Sequence, residues 1–305
     1  MSISPDYLIE RKRTKKQLLK WKFVALALII AMLFVARNHL PSTGTMTPFP
    51  KADHIASTRI DGIIFDDLDR VKKLLALKKD EKIKALIVNI NSPGGSVVGS
   101  EMLYNALRKI ADSKPVVIIM GSLAASGGYM AALGGDYIIA HNGTITGSIG
   151  VIMQSAEITE LAERFGIKFN NFKSDELKAA PNPTEKLTPE VRQVTMDSIY
   201  KVYDYFIEVV ANRRNLDIQQ VRKLADGRIY SGRQALDLKL IDAIGNEDTA
   251  IEWLQEKKGI AKELEVIDVK LKARDRLIDM LMEDFDTKIS SFLSSSFKGL
   301  KSIIQ

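Results

Sequence analysis

Two short stretches carry residues whose types and spacing could do chemistry. The first is Asn91-Ser92-Pro93-Gly94-Gly95-Ser96. Two consecutive glycines let bare backbone approach a ligand and aim N–H groups at it. An oxyanion hole needs such fixed donors facing a developing negative charge. Taken alone, Pro-Gly-Gly is equally a plain turn. The second stretch is Gly121-Ser122-Leu123-Ala124-Ala125-Ser126-Gly127-Gly128-Tyr129. Ser126 precedes a run of small residues suited to a short helix. It reads either as an ordinary N-cap or as a nucleophile at a helix start, with the Gly127 N–H as a further oxyanion donor.

A nucleophilic serine needs a base, and histidine is the usual one. The chain has three: His39, His54 and His141. His39 falls in a linker, His54 at the entrance of the folded region, and His141 after a strand with no evident partner. The other base able to activate serine is a lysine discharged by burial. Residues 172–181 follow an expected strand and hold two lysines, Lys173 and Lys178. With 44 lysines and arginines in the chain, residue types alone do not choose between them. There is no cysteine, which excludes a thiol nucleophile, disulfides and thiolate-bound metals.

The elements that must position these residues are legible from periodicity. Continuous apolar runs at 85–90 and 116–120 read as strands buried on both faces, and each leads directly into one of the two stretches. Further strands are expected at 55–64, 137–140, 149–153 and 167–172. Helices are expected at 66–77, 101–110, 127–133, 158–165, 217–224 and 231–236. A long helix over 189–212 has Thr188 as N-cap and Pro189 at its first position. This alternation predicts an α/β layered fold with a largely parallel sheet, and ligands bind such sheets off the carboxyl ends of the strands.

The chain of 305 residues is 46% hydrophobic and 27% charged, an ordinary globular balance. Its net charge of +6 is not spread evenly. Residues 1–22 hold seven bases and two acids, and the rest holds 37 bases against 36 acids. The body therefore makes no compositional case for nucleic-acid binding. After the basic run, residues 23–36 (FVALALIIAMLFVA) carry no charge. Fourteen residues are short of the ~20 of a full span, but Trp21 and Lys22 extend it at the interface. Large Phe34 stands where a signal-peptide cleavage site wants a small residue, so the segment reads as an uncleaved signal anchor. The positive-inside rule then puts 1–22 in the cytoplasm and the body on the extracytoplasmic side of a bacterial inner membrane, crossed once. The expected layout is a basic segment (1–22), an anchor (23–36), a linker (37–54), a catalytic domain (55–258) and a C-terminal strand with an amphipathic helical tail (259–305). In the tail, apolar residues recur at Leu277, Leu281, Phe285, Ile289, Phe292, Leu293, Phe297, Leu300 and Ile304. It reads as a frayed helix or as a docking helix for a subunit or the membrane surface.

With these motifs in place, the sequence resembles the SppA-type signal peptide peptidases, which share the ClpP/crotonase fold. The resemblance spans roughly 55–258. It rests on N-I-N-S-P-G-G-S (89–96), G-S-L-A-A-S-G-G-Y (121–129), T-G-S-I-G-V (146–151), K-S-D-E-L-K-A-A (173–180) and A-D-G-R-I-Y-S-G-R-Q-A-L-D-L-K-L-I-D (225–242). The tail from about Ala261 has no counterpart. The resemblance implies a serine endopeptidase that uses no cofactor and no metal. It implies Ser126 as nucleophile, Lys178 as base from the second lysine of a K-S-x-x-x-K pattern, and Gly94, Gly95 and Gly127 as oxyanion donors. It further implies cleaved signal peptides or other short apolar peptides as substrates, and a homo-oligomer whose dyad can be assembled from neighbouring subunits. Two other readings share the fold: a crotonase-like acyl-CoA enzyme, and a catalytically silent membrane scaffold. Export of the body opposes the first, and the presence of both Ser126 and Lys178 opposes the second.

Overall fold

The computed structural model describes Trp21 and residues 52–271. The expected anchor (23–36), His39 and the amphipathic tail beyond 271 lie outside the described residues. No helix among the described residues is long and apolar enough to cross a membrane.

Four strands and three helices build the frame. β1 (His54–Asp61) leads through α1 (Leu68–Lys79) to β2 (Ile83–Ser92), then through α2 (Val97–Ala111) to β3 (Val116–Ala125), and through the six-residue α3 (Gly127–Ala132) to β4 (Tyr137–Ala140). β1, β2 and β3 are parallel neighbours, as short α crossovers require. The ten-residue β3 is long enough to serve two partners on one edge. Its first half, Val117–Met120, pairs with β4, and its last residues, Leu123–Ala125, pair with β5 (Ile145–Gly147). β6 (Ile229–Ser231) joins β5 antiparallel, β7 (Ala243–Ile244) joins β4, and β8 (Val266–Asp268) closes the far edge beside β1. The remaining helices are α4 (Thr159–Arg164), α5 (Pro189–Arg214), α6 (Ile218–Leu224), α7 (Gly232–Asp237) and α8 (Glu247–Lys258).

Strand alternation divides the core between two faces. Leu86, Val88, Ile90, Ile118 and Met120 point to one face, where Leu74, Leu107, Ile110, Phe206 and Val210 of α1, α2 and α5 bury them. Ala85, Ile87, Val117 and Ile119 point to the other, under Ala250 and Leu254 of α8. This double coverage is why 85–90 and 116–120 are apolar at every position but Asn89. Buried Lys114 closes α1, donating from Nζ to the carbonyls of Leu77 (2.9 Å) and Asp80 (2.8 Å). Thr188 caps α5 by accepting the Val191 N–H at 3.2 Å, with Pro189 at the first turn, as its sequence predicts.

Two expected strands are absent. Residues 149–153 and 167–172 form no regular pairing. The first fails because Gly147 (φ 77°) and Ser148 (φ 49°) turn the chain out of extended backbone just before it, and the strand starts four residues earlier, as β5. Ile149 is buried in the core, but Ile152 and Phe172 are 77% and 97% exposed; residues 151–153 and 167–172 belong to an arm, 151–187, in which Ala162 is the one buried residue. Apolar residues there mimic a strand without a sheet face to bury them.

Candidate active site

Both chemistry-bearing stretches leave the carboxyl ends of adjacent parallel strands, β2 and β3, so the sheet brings them to one edge. At the end of β3 the chain turns through Ser126 into α3. Ser126 holds φ 54°, ψ −121°, a conformation sterically costly for any residue with a Cβ. Neighbouring bonds fix it: its N–H donates to the Gly147 carbonyl at 2.8 Å, and its carbonyl accepts the Met130 N–H at 2.9 Å. The hydroxyl makes no capping bond. Ser126 therefore stands at the cap position without serving as a cap. A strained strand–turn–helix serine whose hydroxyl makes no hydrogen bond among the described residues has the geometry of a nucleophile elbow.

The Pro-Gly-Gly turn lies against this elbow. Gly94 has φ +95°, and a Cβ there would lie 2.6 Å from the Gly127 nitrogen and 3.1 Å from the Ser126 Cβ. Gly95 is pressed onto the chain after β1: its Cβ would lie 1.9 Å from the Ile64 carbonyl oxygen. That contact is held by two backbone bonds, Ile64 N–H to Gly94 O and Ser96 N–H to Ile64 O, both 2.8 Å. A Cβ on Gly127 would lie 2.1 Å from Ser100 Oγ. The three glycines are thus required by close approach. Their N–H groups differ. Gly94 donates to the buried Ser92 hydroxyl at 3.0 Å, whereas no protein acceptor among the described residues takes the N–H of Gly95 or Gly127. Ser92 is a residue that sequence reading overlooked; a serine two residues before a turn N–H is the signal that finds it. Asn91 is another, its Oδ1 accepting the Leu123 N–H at 3.1 Å where β2 and β3 diverge.

Neither of the two described histidines joins the site. His54 is buried at the amino end of β1, its Nδ1 3.1 Å from the Ala52 carbonyl oxygen. β4 pairs Ala140 with Met120, so His141 is level with Gly121. That is five residues short of Ser126, roughly 16 Å of extended strand.

The two candidate lysines are distinguished by their partners. Lys173 Nζ is occupied by Glu185 Oε2 at 2.8 Å and the Glu176 carbonyl at 2.7 Å. Lys178 is exposed, and its Nζ makes no bond among the described residues. Within one chain the structure brings together Ser126, Gly94, Gly95 and Gly127; no hydrogen bond or ion pair links Lys178 to them. Glu185, which no sequence motif flags, accepts from Lys173, Asn171 and Asn182, and these bonds hold its carboxyl below the usual range.

The profile of peptidase family S49 matches residues 108–261. A protein of Synechocystis sp. named as a candidate protease is 38% identical over 207 residues, covering 68% of this chain and 75% of its own. A protein of Enterococcus faecium named as a candidate signal peptide peptidase is 36% identical over 187 residues, 61% of this chain and 54% of its own. The chloroplastic serine protease SPPA of Arabidopsis thaliana is 31% identical over 216 residues, 70% of this chain and 32% of its own. The chain thus spans between about a third and three quarters of these relatives.

Proposed function

The chain belongs to peptidase family S49 and is by that membership a serine-type peptidase; on that premise we propose a membrane-anchored endopeptidase in which Ser126 attacks and Lys178 is the base. The observation that carries the proposal is the Ser126 elbow, a hydroxyl unbonded among the described residues beside two glycine N–H groups that no acceptor there takes. Ser126 Oγ adds to the scissile carbonyl carbon while neutral Lys178 Nζ takes its proton. The resulting oxyanion is received by the N–H groups of Gly95 and Gly127, with Gly94 available if its bond to Ser92 opens. Collapse breaks the C–N bond, the amine leaves with the proton from Lys178, and an acyl-serine ester remains. Lys178 then takes a proton from water as the water attacks the ester, and returns it to Ser126 Oγ as the C–O bond to the serine breaks, which releases the acid and restores both residues.

A lysine acts as a base only when something buries it, and Lys178 is exposed in a single copy. We therefore assign its cover to a second copy of this chain, so that one copy gives Ser126 and its neighbour gives Lys178. The substrates proposed are cleaved signal peptides or other short apolar peptides, met on the extracytoplasmic side of a bacterial inner membrane to which residues 23–36 tether the enzyme. Apolar side chains left exposed around the Gly95 turn, among them Phe65 and Val98, favour such peptides.

A fluorophosphonate probe, which esterifies activated serines, tests the assignment. Labelling of the wild type should be lost in Ser126→Ala and in Lys178→Ala and kept in His141→Ala. Label persisting in Ser126→Ala would remove Ser126 as nucleophile; label lost only with His141 would restore a histidine base.

A further inference from the structure

The arm that carries Lys178 has almost no core of its own. Between 151 and 187 the one buried side chain is Ala162, so apolar packing does not decide where Lys178 is held. A polar hub does. Glu185 Oε1 accepts from Asn171 Nδ2 at 2.9 Å; its Oε2 accepts from Lys173 Nζ and Asn182 Nδ2, both at 2.8 Å. Two of these donors reach onward to the backbone. Lys173 Nζ donates to the Glu176 carbonyl at 2.7 Å, and Asn182 Nδ2 donates to the Ala179 carbonyl at 3.2 Å.

Lys178 lies between those two carbonyls. Among the described residues the turn it occupies is otherwise tied by its own short-range bonds, Leu177 N–H to Asp175 Oδ1 at 3.1 Å, Lys178 N–H to Asp175 O at 3.0 Å and Ala180 N–H to Leu177 O at 3.2 Å. Ala179 sits at φ 60°, a conformation that an unconstrained alanine would leave. The hub is also sheltered, with the Lys173 and Glu185 side chains 15% and 26% exposed, so the pair is worth more than an open surface bridge. Ile158 N–H to Pro183 O (2.9 Å) and Leu187 N–H to Glu157 Oε2 (3.3 Å) fasten the same loop to the far side of the arm.

We propose that Glu185 is a positioning residue: through Lys173 and Asn182 its carboxylate fixes the backbone on both sides of Lys178 and so sets where that amine is presented. This rests on the reading of Lys178 as the base. It also gives Lys173 a duty distinct from catalysis, as the upstream strut of the clamp. The clamp touches neither substrate nor Ser126, so its loss should slow turnover and leave substrate binding nearly intact.

The test measures kcat and KM for an apolar reporter peptide with the full-length protein, beside thermal melting. Glu185→Gln keeps the shape of the side chain and removes its charge. It should lower kcat about 10- to 100-fold with KM within about threefold, the signature of a lost transition-state contribution. Lys173→Met should do the same, Lys173→Arg should recover most of the loss, and Glu185→Gln with Lys173→Met together should be no worse than either alone. The melting temperature should not follow, because the arm adds little to the core. Wild-type kcat in Glu185→Gln beside an inactive Lys178→Ala would overturn the clamp alone. An active Lys178→Ala would overturn the base reading and the clamp with it. A rise in KM at unchanged kcat, or multiplicative losses in the double variant, would also overturn it.

Discussion

The glycines around the elbow differ in whether the neighbour that confines them can move aside. Gly95 is the sharpest case, because a Cβ there would meet not a side chain but the Ile64 carbonyl, 1.9 Å away. Gly95→Ala must break the two 2.8 Å backbone bonds that join the Pro-Gly-Gly turn to the chain after β1. The expected cost is about 3 kcal/mol, at the upper end for overpacking, with peptidase activity lost in the molecules that still fold. Denaturant unfolding and peptide hydrolysis on the same samples check this. A melting curve like the wild type's would show that Gly95 is free of Ile64 in solution. Ser100 differs: its hydroxyl lies 2.1 Å from where a Gly127 Cβ would be, and a side chain can rotate where a carbonyl cannot.

At the level of elements, the arm and the sheet are held by different forces, and they should part company in acid. Glu185 is depressed first by its bond from Lys173, then by those from Asn171 and Asn182. A carboxyl lowered on folding contributes stability that is full above its unfolded value and disappears as pH falls through its folded value. Hydrogen exchange of peptides from 171–187, corrected for the intrinsic rate, should therefore accelerate below the usual carboxylate range. Peptides from β2 and β3 should stay protected under the same conditions. In Glu185→Gln the arm should already exchange fast at neutral pH. The same division explains what could be read in advance. The strands at 85–90 and 116–120 and the capped α5 were legible because burial and capping leave periodic marks. The strands expected at 149–153 and 167–172 were not there, since Phe169 and Phe172 are apolar without being inside. Ser126 was legible as a turn residue of the right kind, but not its backbone angle. Residue types alone left Lys173 and Lys178 open, and only the family resemblance pointed to Lys178; the Glu185 contacts of Lys173 could not be read in advance, because they depend on bonds from three residues 3 to 14 positions away.

At the scale of the whole molecule, several large apolar side chains are exposed among the described residues. Ile152, Phe165 and Phe172 are 77%, 75% and 97% exposed, all on the arm that carries Lys178. Exposed apolar side chains that form a contiguous patch mark an interaction site, and we propose that these three belong to one. A second copy covering it would bury these side chains and supply the shelter that a lysine base needs. Genetic complementation measures this directly. Ser126→Ala and Lys178→Ala chains, each inactive alone, should regain activity when co-expressed. Random mixing across a head-to-tail interface pairs an intact serine with a neighbour's intact lysine at about a quarter of positions, so about a quarter of wild-type activity is expected. Complete inactivity of the mixture, with both chains co-purifying, would place serine and lysine in one chain.

The backbone of Ser126 sets fold and turnover against each other over longer times. Holding a serine at φ 54° costs roughly 1–3 kcal/mol, and its hydroxyl recovers none of this by capping. Glycine would relieve the strain, and it is also a replacement that removes the proposed nucleophile. Any lineage of this chain released from the need to cut peptides thus has a downhill route at position 126, toward a sturdier and inert protein. One that keeps cutting must offset the strain elsewhere in the fold.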